Sequence, residues 1–404
     1  MRRNISIAIA LLLTASYLFL INQPVSTSQG TLPPPGKFIN PFSGFWQNAE
    51  QDIPDMPNLA GLDLKESVEV AYDDRLVPHI FASNKEDLLF VEGYLHARNR
   101  LWQMDITTRQ ASGRLTEVFG SRLIEQDRRM RRMGMTWAAE KHLELWKQCP
   151  EYHLLERYVS GVNAYIQSLS PTEYPLEFKL FDYSPEPWTP YHTVLVMMSM
   201  NLELCGRNED IAATNTLLAL GQETFTDLYP TWNPNQSPVI PASIYWQFDH
   251  TLEDFGGSEL PVESIGHRFI QPAPPSVGSN NWAVGPDKTS SGYPILCNDP
   301  HLSLTLPSIW YEMQTNTPTQ NAYGVSLPGI PNIIIGFNEN VAWGQTNVGM
   351  DVSDLYSITW ADEQKETYLL DGRTLPVEYR YETYLLKDGA NITDTVRYTY
   401  WGPV

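Results

Sequence analysis

A serine that directly follows a glycine, at Gly278-Ser279, is the strongest candidate for chemistry in this sequence. If the peptide bond between them breaks, Ser279 becomes N-terminal, so that its hydroxyl can act as a nucleophile and its own α-amine as the base. An α-amine has a pKa of about 7.7–8.0, which suits proton transfer near neutral pH without a histidine. Gly-Ser-Asn is also a common turn sequence, and the pattern alone fits both interpretations.

Several other kinds of site are excluded by the sequence. It contains no GxSxG elbow, no GxxxxGK[ST] loop, no HExxH motif and no EF-hand loop. The 3 cysteines form no CxxC and the 8 histidines show no metal-ligand spacing, which argues against a disulfide scaffold or a zinc site. The formal net charge of −20 argues against nucleic acid as a partner, because phosphates would repel the protein.

The N-terminus has the pattern of a targeting segment. Arg2 and Arg3 precede an apolar run at residues 5–21. A basic flank before such a run predicts an export signal or an inner-membrane anchor rather than a buried helix, and hence an exported or periplasmic protein. Whether the segment is cleaved stays open, because no clear small-x-small site follows. A linker completes residues 1–35.

The remainder of the chain divides into three regions. Residues 36–220 are helix-rich, with apolar residues recurring at spacings of three and four. Residues 221–278 are rich in Pro, Gly, Ser and Asn and predict an exposed connector that tolerates backbone cleavage. Residues 279–404 alternate as strands separated by turn signals. The expected fold class is therefore α+β. The clearest helices are expected at 87–104, 152–169 and 194–204.

Five segments occur in an order that characterises one family. They are YDDRLVPHIFA from Tyr72, DLLFVEGYLHARNRLWQMD from Asp87, SGRLTEVFG from Ser112, GSNNWAVGPDKTSSGYPILCNDPHL from Gly278 and TNVGMDVSDLY from Thr346. Together they resemble the penicillin acylase (penicillin amidase) family of N-terminal nucleophile hydrolases. The resemblance extends from about Leu62 to the C-terminus.

The resemblance implies roles for residues near the junction. Ser279 matches the family's nucleophile, which the precursor releases by cutting its own Gly278–Ser279 bond. His301 matches a residue whose side chain helps to hold the serine hydroxyl and whose backbone supports the oxyanion. In this position the chain resembles the acylases for cephalosporins and acyl-homoserine lactones, which have histidine there, whereas penicillin G acylases have glutamine.

The resemblance further implies an oxyanion hole and an acyl pocket. The backbone N–H groups of Asn347 or Val348 match the donors to the oxyanion, and such donors contribute a few kcal/mol each. Leu302 matches a residue lining the acyl pocket, and the helix around residues 197–204 would form its other wall.

A structural calcium ion, one per heterodimer, is also implied. Asp351 and Asp354, with the carbonyl of Ser353, match the family's calcium-binding stretch, and two carboxylates at i and i+3 suit a hard cation. Glu209 and Asp210 are both candidates for a further ligand from the helical region. No organic cofactor is expected.

The family's fold is an αββα sandwich with a helix-rich α-chain portion, built from α and β chains of one precursor. We therefore expect an exported, self-processing hydrolase that cleaves small-molecule N-acyl amides, such as those of penicillins or cephalosporins, through an acyl-enzyme. An acyl-homoserine lactone acylase is one alternative, and a non-catalytic exported remnant is another.

The family's catalytic Asn and a nearby Arg have no counterpart before Val404. On this ground we expect a chain incomplete at its C-terminus, either a fragment or a truncated product. We expect such a chain to have little or no amidase activity by itself.

Overall fold

The computed structural model describes residues 2–27, 30–49, 61–205, 209–230, 235, 278–347 and 355–404. The chain forms two units. The first comprises residues 1–204, 274–348 and 358–404, and the second comprises residues 205–273 and 349–357. Most of the predicted connector lies outside the described residues.

Helices dominate the N-terminal half of the described chain, and strands dominate the C-terminal part. The helices are α1 Arg2–Ile21, α2 Pro35–Phe38, α3 Trp46–Ala49, α4 Lys85–Ser112, α5 Thr116–Phe119, α6 Ile124–Arg132, α7 Met135–Trp146, α8 Tyr152–Ser168, α9 Leu176–Leu180, α10 Pro190–Cys205 and α11 Glu209–Leu228. The strands are β1 Val25–Thr27, β2 Gly30–Leu32, β3 Glu69–Tyr72, β4 Pro78–Phe81, β5 Gly278–Val284, β6 Ile295–His301, β7 Tyr311–Thr317, β8 Gln320–Ser326, β9 Ile335–Phe337, β10 Ala342–Trp343, β11 Thr367–Leu370, β12 Arg373–Pro376, β13 Glu378–Tyr384, β14 Ile392–Thr399 and β15 Gly402–Pro403.

The packing of α4 against α8 forms the centre of the first unit. The α4 helix begins after Asn84, whose side chain accepts a hydrogen bond from the Asp87 N–H at 2.8 Å and so caps the first turn. A Cβ on Gly93 would overlap the backbone of Tyr158, and one on Gly161 would overlap that of Phe90. These two glycines therefore allow the helices to approach closely.

A six-stranded sheet covers the other side of α4. Its strand order is β10-β9-β8-β7-β4-β3, and only the β4–β7 pair is parallel. Ile80 of β4, Leu88 and Leu95 of α4 and Met313 of β7 share one buried apolar cluster. This sheet joins the strands at residues 69–81 to the strand-rich region, although more than 200 residues of sequence separate them.

The remaining strands form smaller sheets, namely β1-β2, β5-β6, β11-β12 and β13-β14-β15. The mixture of helices and strands confirms the predicted α+β class. The αββα sandwich stays a prediction, because the described strands do not assemble into two large packed sheets.

Two predicted boundaries need correction. The helix expected to end at residue 104 continues to Ser112, with a break in its backbone angles at Arg100 (φ −141°, ψ 16°). The first residues of the expected connector, 221–228, are helical, because α11 extends to Leu228. Gly221 does interrupt that helix, with a φ of 79°. Glycine reaches this angle without steric cost.

Residues 4–20 of the N-terminal helix α1 are exposed to solvent. Its segment Asn4–Ile21, 18 residues long with a mean hydropathy of 2.1, is long and apolar enough to cross a membrane. A signal sequence and a membrane anchor share these properties, so the structure is compatible with both.

Candidate active site

Ser279 lies on a two-stranded hairpin with its hydroxyl beside the peptide bond that precedes it. Strand β5 pairs antiparallel with β6, which places Ser279 opposite Pro300 and Gly278 opposite His301. The Ser279 Oγ donates a hydrogen bond to the Gly278 carbonyl oxygen at 2.6 Å. The hydroxyl therefore lies next to the carbonyl group of the bond that the sequence predicts to be cut.

The side chain of His301 does not contact this hydroxyl. Successive side chains of a strand point to opposite faces, and directly paired residues share a face. His301 therefore shares a face with Gly278, whereas Ser279 shares the other face with Pro300. The register of this hairpin therefore does not bring the two side chains together, and the role of His301 in holding the serine hydroxyl stays a prediction.

Asp299 is the partner that His301 has instead. The His301 Nε2–H donates to Asp299 Oδ2 at 2.8 Å, and this hydrogen bond lowers the pKa of the Asp299 carboxyl. Both side chains are largely exposed, at 45% and 62%. Sequence reasoning did not single out Asp299, although its i, i+2 spacing from His301 on a predicted strand would have placed both on one face.

Asn298 attaches the hairpin to the chain that follows β10. Its Nδ2 donates to the Asn280 carbonyl at 3.1 Å and to the Gln345 carbonyl at 3.0 Å, and its Oδ1 accepts from the Gln345 N–H at 2.9 Å. A Cβ on Gly344 would lie 2.8 Å from both Asn281 Nδ2 and Asn298 Oδ1, so glycine at this position leaves room for both side chains. Asn298 lies on the same face of the hairpin as Ser279.

Asn347 continues this connection to α10. Its side-chain Nδ2 donates to the Leu204 carbonyl at 2.6 Å. Residues 344–347 thus run from the serine hairpin to the C-terminal end of α10. The second oxyanion candidate, Val348, lies outside the described residues.

A cleft of about 300 Å³ begins where β6 ends. Leu302, the residue after His301, lines it together with residues of α10. The role of Leu302 in an acyl pocket stays a prediction. Its walls are partly apolar and partly polar. The lining residues are Gln103, Thr107, Gln110, Val196, Ser199, Met200, Glu203, Leu302, Ser303, Thr305, Ile309, Leu327 and Pro328.

Three of the five expected calcium ligands fall outside the part of the chain that the structure describes. Asp351, Ser353 and Asp354 lie outside the described residues, and Glu209 and Asp210 are the first two residues of α11. Within the part of the chain that the structure describes, no group of three or more His, Cys, Asp and Glu side chains forms a metal site. The calcium ion therefore stays a prediction.

Comparison with known proteins identifies the class of this α+β protein. Residues 67–404 match the penicillin amidase family. Because this match covers most of the chain, the chain belongs to that family.

Individual relatives span both substrate types named above. The acyl-homoserine lactone acylase QuiP of Pseudomonas aeruginosa is 32% identical over 346 residues, which are 84% of this chain and 40% of that protein. The penicillin acylase 2 proenzyme of Pseudomonas sp. strain SE83 is 30% identical over 345 residues, 84% of this chain and 44% of that protein. A solved thermostable penicillin G acylase from Alcaligenes faecalis matches 44% of this chain and 98% of its own with 25% identity and a TM-score of 0.39. The chain thus spans about two fifths of the length of the curated relatives.

Proposed function

We propose that this chain belongs to an exported amide hydrolase that releases Ser279 as its own N-terminal nucleophile. The observation that carries the proposal is the 2.6 Å hydrogen bond from Ser279 Oγ to the Gly278 carbonyl. Membership of the penicillin amidase family supports it, as does the name "proenzyme" of one relative, which implies processing into chains.

Self-cleavage proceeds by an acyl shift from nitrogen to oxygen. The Ser279 Oγ attacks the Gly278 carbonyl carbon, the C–N bond breaks, and the former amide nitrogen takes up the proton that the hydroxyl loses. Water then hydrolyses the resulting ester, which leaves a carboxylate on Gly278 and a free hydroxyl and α-amine on Ser279. Placing the hydroxyl and carbonyl together in advance lowers the entropic cost of the first step.

The released serine then acts on an external amide. Its α-amine takes the hydroxyl proton, Oγ attacks the acyl carbon of the substrate, and the amine leaves with that proton. Water hydrolyses the acyl-enzyme to the free acid. Backbone N–H groups at Asn347 or Val348 stabilise the oxyanion, and the backbone of His301 supports the same centre.

The cleft beside Leu302 is the proposed binding site for the acyl group. Its volume of about 300 Å³ is at the small end of the range for ligand sites, so it suits an acyl group better than a whole drug-sized molecule. The lining includes apolar side chains such as Met200 and Leu327 and polar ones such as Gln103. N-acyl-homoserine lactones are a second candidate substrate, which the similarity to QuiP favours.

Two further features complete the proposal. A calcium ion bound by Asp351, Asp354 and the Ser353 carbonyl, with Glu209 or Asp210, would stabilise the fold, since carboxylate and carbonyl oxygens are the ligands that Ca²⁺ prefers. The segment at residues 5–21 would direct export to the periplasm, either as a signal or as an anchor.

Mass spectrometry of the protein, expressed as its gene encodes it, tests the proposal. We expect a new N-terminus at Ser279 in the wild type and in Ser290→Ala, a matched change at an exposed serine of the same hairpin connection. Ser279→Ala should stay uncut. Hydrolysis is measured on penicillin G, a cephalosporin amide and a series of acyl-homoserine lactones. An alanine variant that is still cut at residue 279 would overturn self-processing.

A further inference from the structure

A buried chain of hydrogen bonds lies beneath one wall of the cleft. It joins His96 of α4, Tyr158 of α8 and Ser326 at the end of β8, all three completely shielded from solvent. His96 Nδ1 lies 2.8 Å from the Tyr158 hydroxyl, and its Nε2 lies 2.8 Å from Ser326 Oγ. The proposed mechanism uses none of these groups.

The direction of each hydrogen bond in this series follows from the groups at its two ends. Ser326 Oγ donates to the Tyr311 carbonyl at 3.0 Å, so it accepts from the His96 Nε2–H. His96 is neutral, because burial lowers its pKa to about 3, and its Nδ1 therefore accepts from the Tyr158 hydroxyl. The Tyr158 oxygen in turn accepts from the Gly329 N–H at 3.0 Å. Each member thus has a defined partner.

The series of buried hydrogen bonds ends at the loop of residues 327–332, here called the cleft loop. Its first four residues form a turn closed by the Ile330 N–H to the Leu327 carbonyl at 2.9 Å. Gly329 has a φ of 106°, and a Cβ there would lie 2.9 Å from the Val196 side chain, so only glycine fits. The loop is therefore pressed onto α10 on one side and hydrogen-bonded to Tyr158 on another.

Glu92 holds the other end of the cleft loop. The Asn332 N–H donates to Glu92 Oε1 at 2.7 Å, and Glu92 is fully buried on α4. The cleft loop is thus attached by its backbone at two points, one to α8 and one to α4.

The opposite side of the cleft loop faces the cleft. Leu327 and Pro328 line it together with Leu302 and Met200. We propose that Tyr158, His96 and Glu92 are positioning residues that set the width of the cleft through this loop, and so determine which acyl groups the protein accepts. This inference rests on the proposed role of the cleft as the acyl-binding site.

The physical reason is the cost of a buried polar group without a partner. Removal of the Tyr158 hydroxyl leaves the Gly329 N–H and His96 Nδ1 without partners in a dry interior. The cleft loop relieves that cost only by moving, and Leu327 and Pro328 move with it. Removal of the buried Tyr158 hydroxyl therefore changes the shape of the cleft, although Tyr158 does not line it.

The experiment compares Tyr158→Phe with Tyr165→Phe in the protein as its gene encodes it. Tyr165 lies on the same helix and packs against Tyr94, so its variant is a matched control. Binding of straight-chain carboxylic acids from acetate to decanoate is measured by calorimetry, which needs no turnover. Amide hydrogen exchange of residues 327–332 is measured in parallel. A second pair, Glu92→Leu and Glu92→Gln, removes or keeps the acceptor for the Asn332 N–H.

We expect Tyr158→Phe and Glu92→Leu to weaken binding of the longest accepted acid about tenfold, the effect of one lost buried hydrogen bond, while acetate is unchanged. Exchange in the cleft loop should accelerate in both. Tyr165→Phe and Glu92→Gln should behave as wild type. If Tyr158→Phe does not fold, the comparison of Glu92→Leu with Glu92→Gln tests the inference. An unchanged chain-length profile in the folded variants, or a wild type that binds no acid, overturns the inference. Acid binding without hydrolysis of any N-acyl amide would refute the proposed function and leave this inference intact.

Discussion

Ser279 and His301 lie on opposite faces of the same two-stranded hairpin. The register of β5 and β6 pairs His301 with Gly278, one residue before the serine. The Ser279 hydroxyl bonds to its own preceding carbonyl, and the His301 imidazole bonds to Asp299. The first reaction proposed for this serine, cleavage of its own peptide bond, therefore has its two reacting groups together without the imidazole.

Replacement of His301 tests this relationship. We expect His301→Gln to retain cleavage at Gly278–Ser279, because the hydroxyl and the carbonyl meet without it, whereas Ser279→Ala is not cut. Mass spectrometry after timed expression gives the fraction cleaved. Failure of His301→Gln to be cut would show that the imidazole takes part despite its face.

Asn298 is expected to control how the hairpin is attached. Asn298→Ala removes three hydrogen bonds to the backbone of Asn280 and Gln345, so the free energy of unfolding should fall by about 1–3 kcal/mol. Amide hydrogen exchange of residues 278–301 should accelerate. Urea unfolding and exchange mass spectrometry measure the two effects.

The control for Asn298 is Asn340→Ala, at an exposed position in the loop before β10. It should leave both measurements unchanged. Equal effects of the two alanine substitutions would contradict the role given to Asn298.

Glu92 should make stability depend on pH. Burial raises the pKa of its carboxyl from 4.5 to about 8. The folded state therefore holds a proton that the unfolded chain releases above about pH 4.5, so this contribution to stability is complete at low pH and declines between about pH 4.5 and 8. The decline is on the order of a few kcal/mol.

Glu92→Gln removes this titration, and the difference in free energy of unfolding between wild type and variant should change across the same pH interval. Denaturant titrations at several pH values measure it. Glu151→Gln, at an exposed position, is the control and should parallel the wild type. A constant difference between wild type and Glu92→Gln from pH 4.5 to 8 would argue against a protonated carboxyl.

Arg109 is expected to stabilise the first unit strongly. It is 5% exposed and pairs with Asp105 at 2.9 Å, Glu117 at 2.6 Å and Glu186 at 3.3 Å. Arg109→Met leaves the buried Asp105 carboxylate without its cation, whereas Glu117 and Glu186 keep their pairs with Arg114. Removing one partner from a buried ion pair typically costs about 3–5 kcal/mol.

Lys147 provides the contrast, because its pair with Glu144 at 2.6 Å is solvent-exposed. Lys147→Met should leave thermal stability almost unchanged, since exposed pairs contribute little. Differential scanning calorimetry of both variants compares them. Similar melting temperatures for the two would contradict the distinction between buried and exposed pairs.

Local periodicity explains what was predictable. Apolar spacing located α4, α8 and α10, because the period of a helix is a property of neighbouring residues. The charged sequence of α6, IEQDRRMRR, has too few apolar residues to reveal its period, and that helix was missed. Alternation located β5 and β6, but not the register between them, which depends on both strands at once.

The sequence by itself determined the α+β class, the family, and the identity of Ser279 and Leu302 as candidate residues, because these follow from composition, local periodicity and ordered motifs. Only the tertiary structure decided that His301 lies on the face away from Ser279, that Asn298 attaches the hairpin to residue 345, and that Tyr158 holds Gly329 through a buried hydrogen bond. Each of these depends on contacts between residues far apart in the chain, and such contacts are set by packing and register rather than by neighbouring residues.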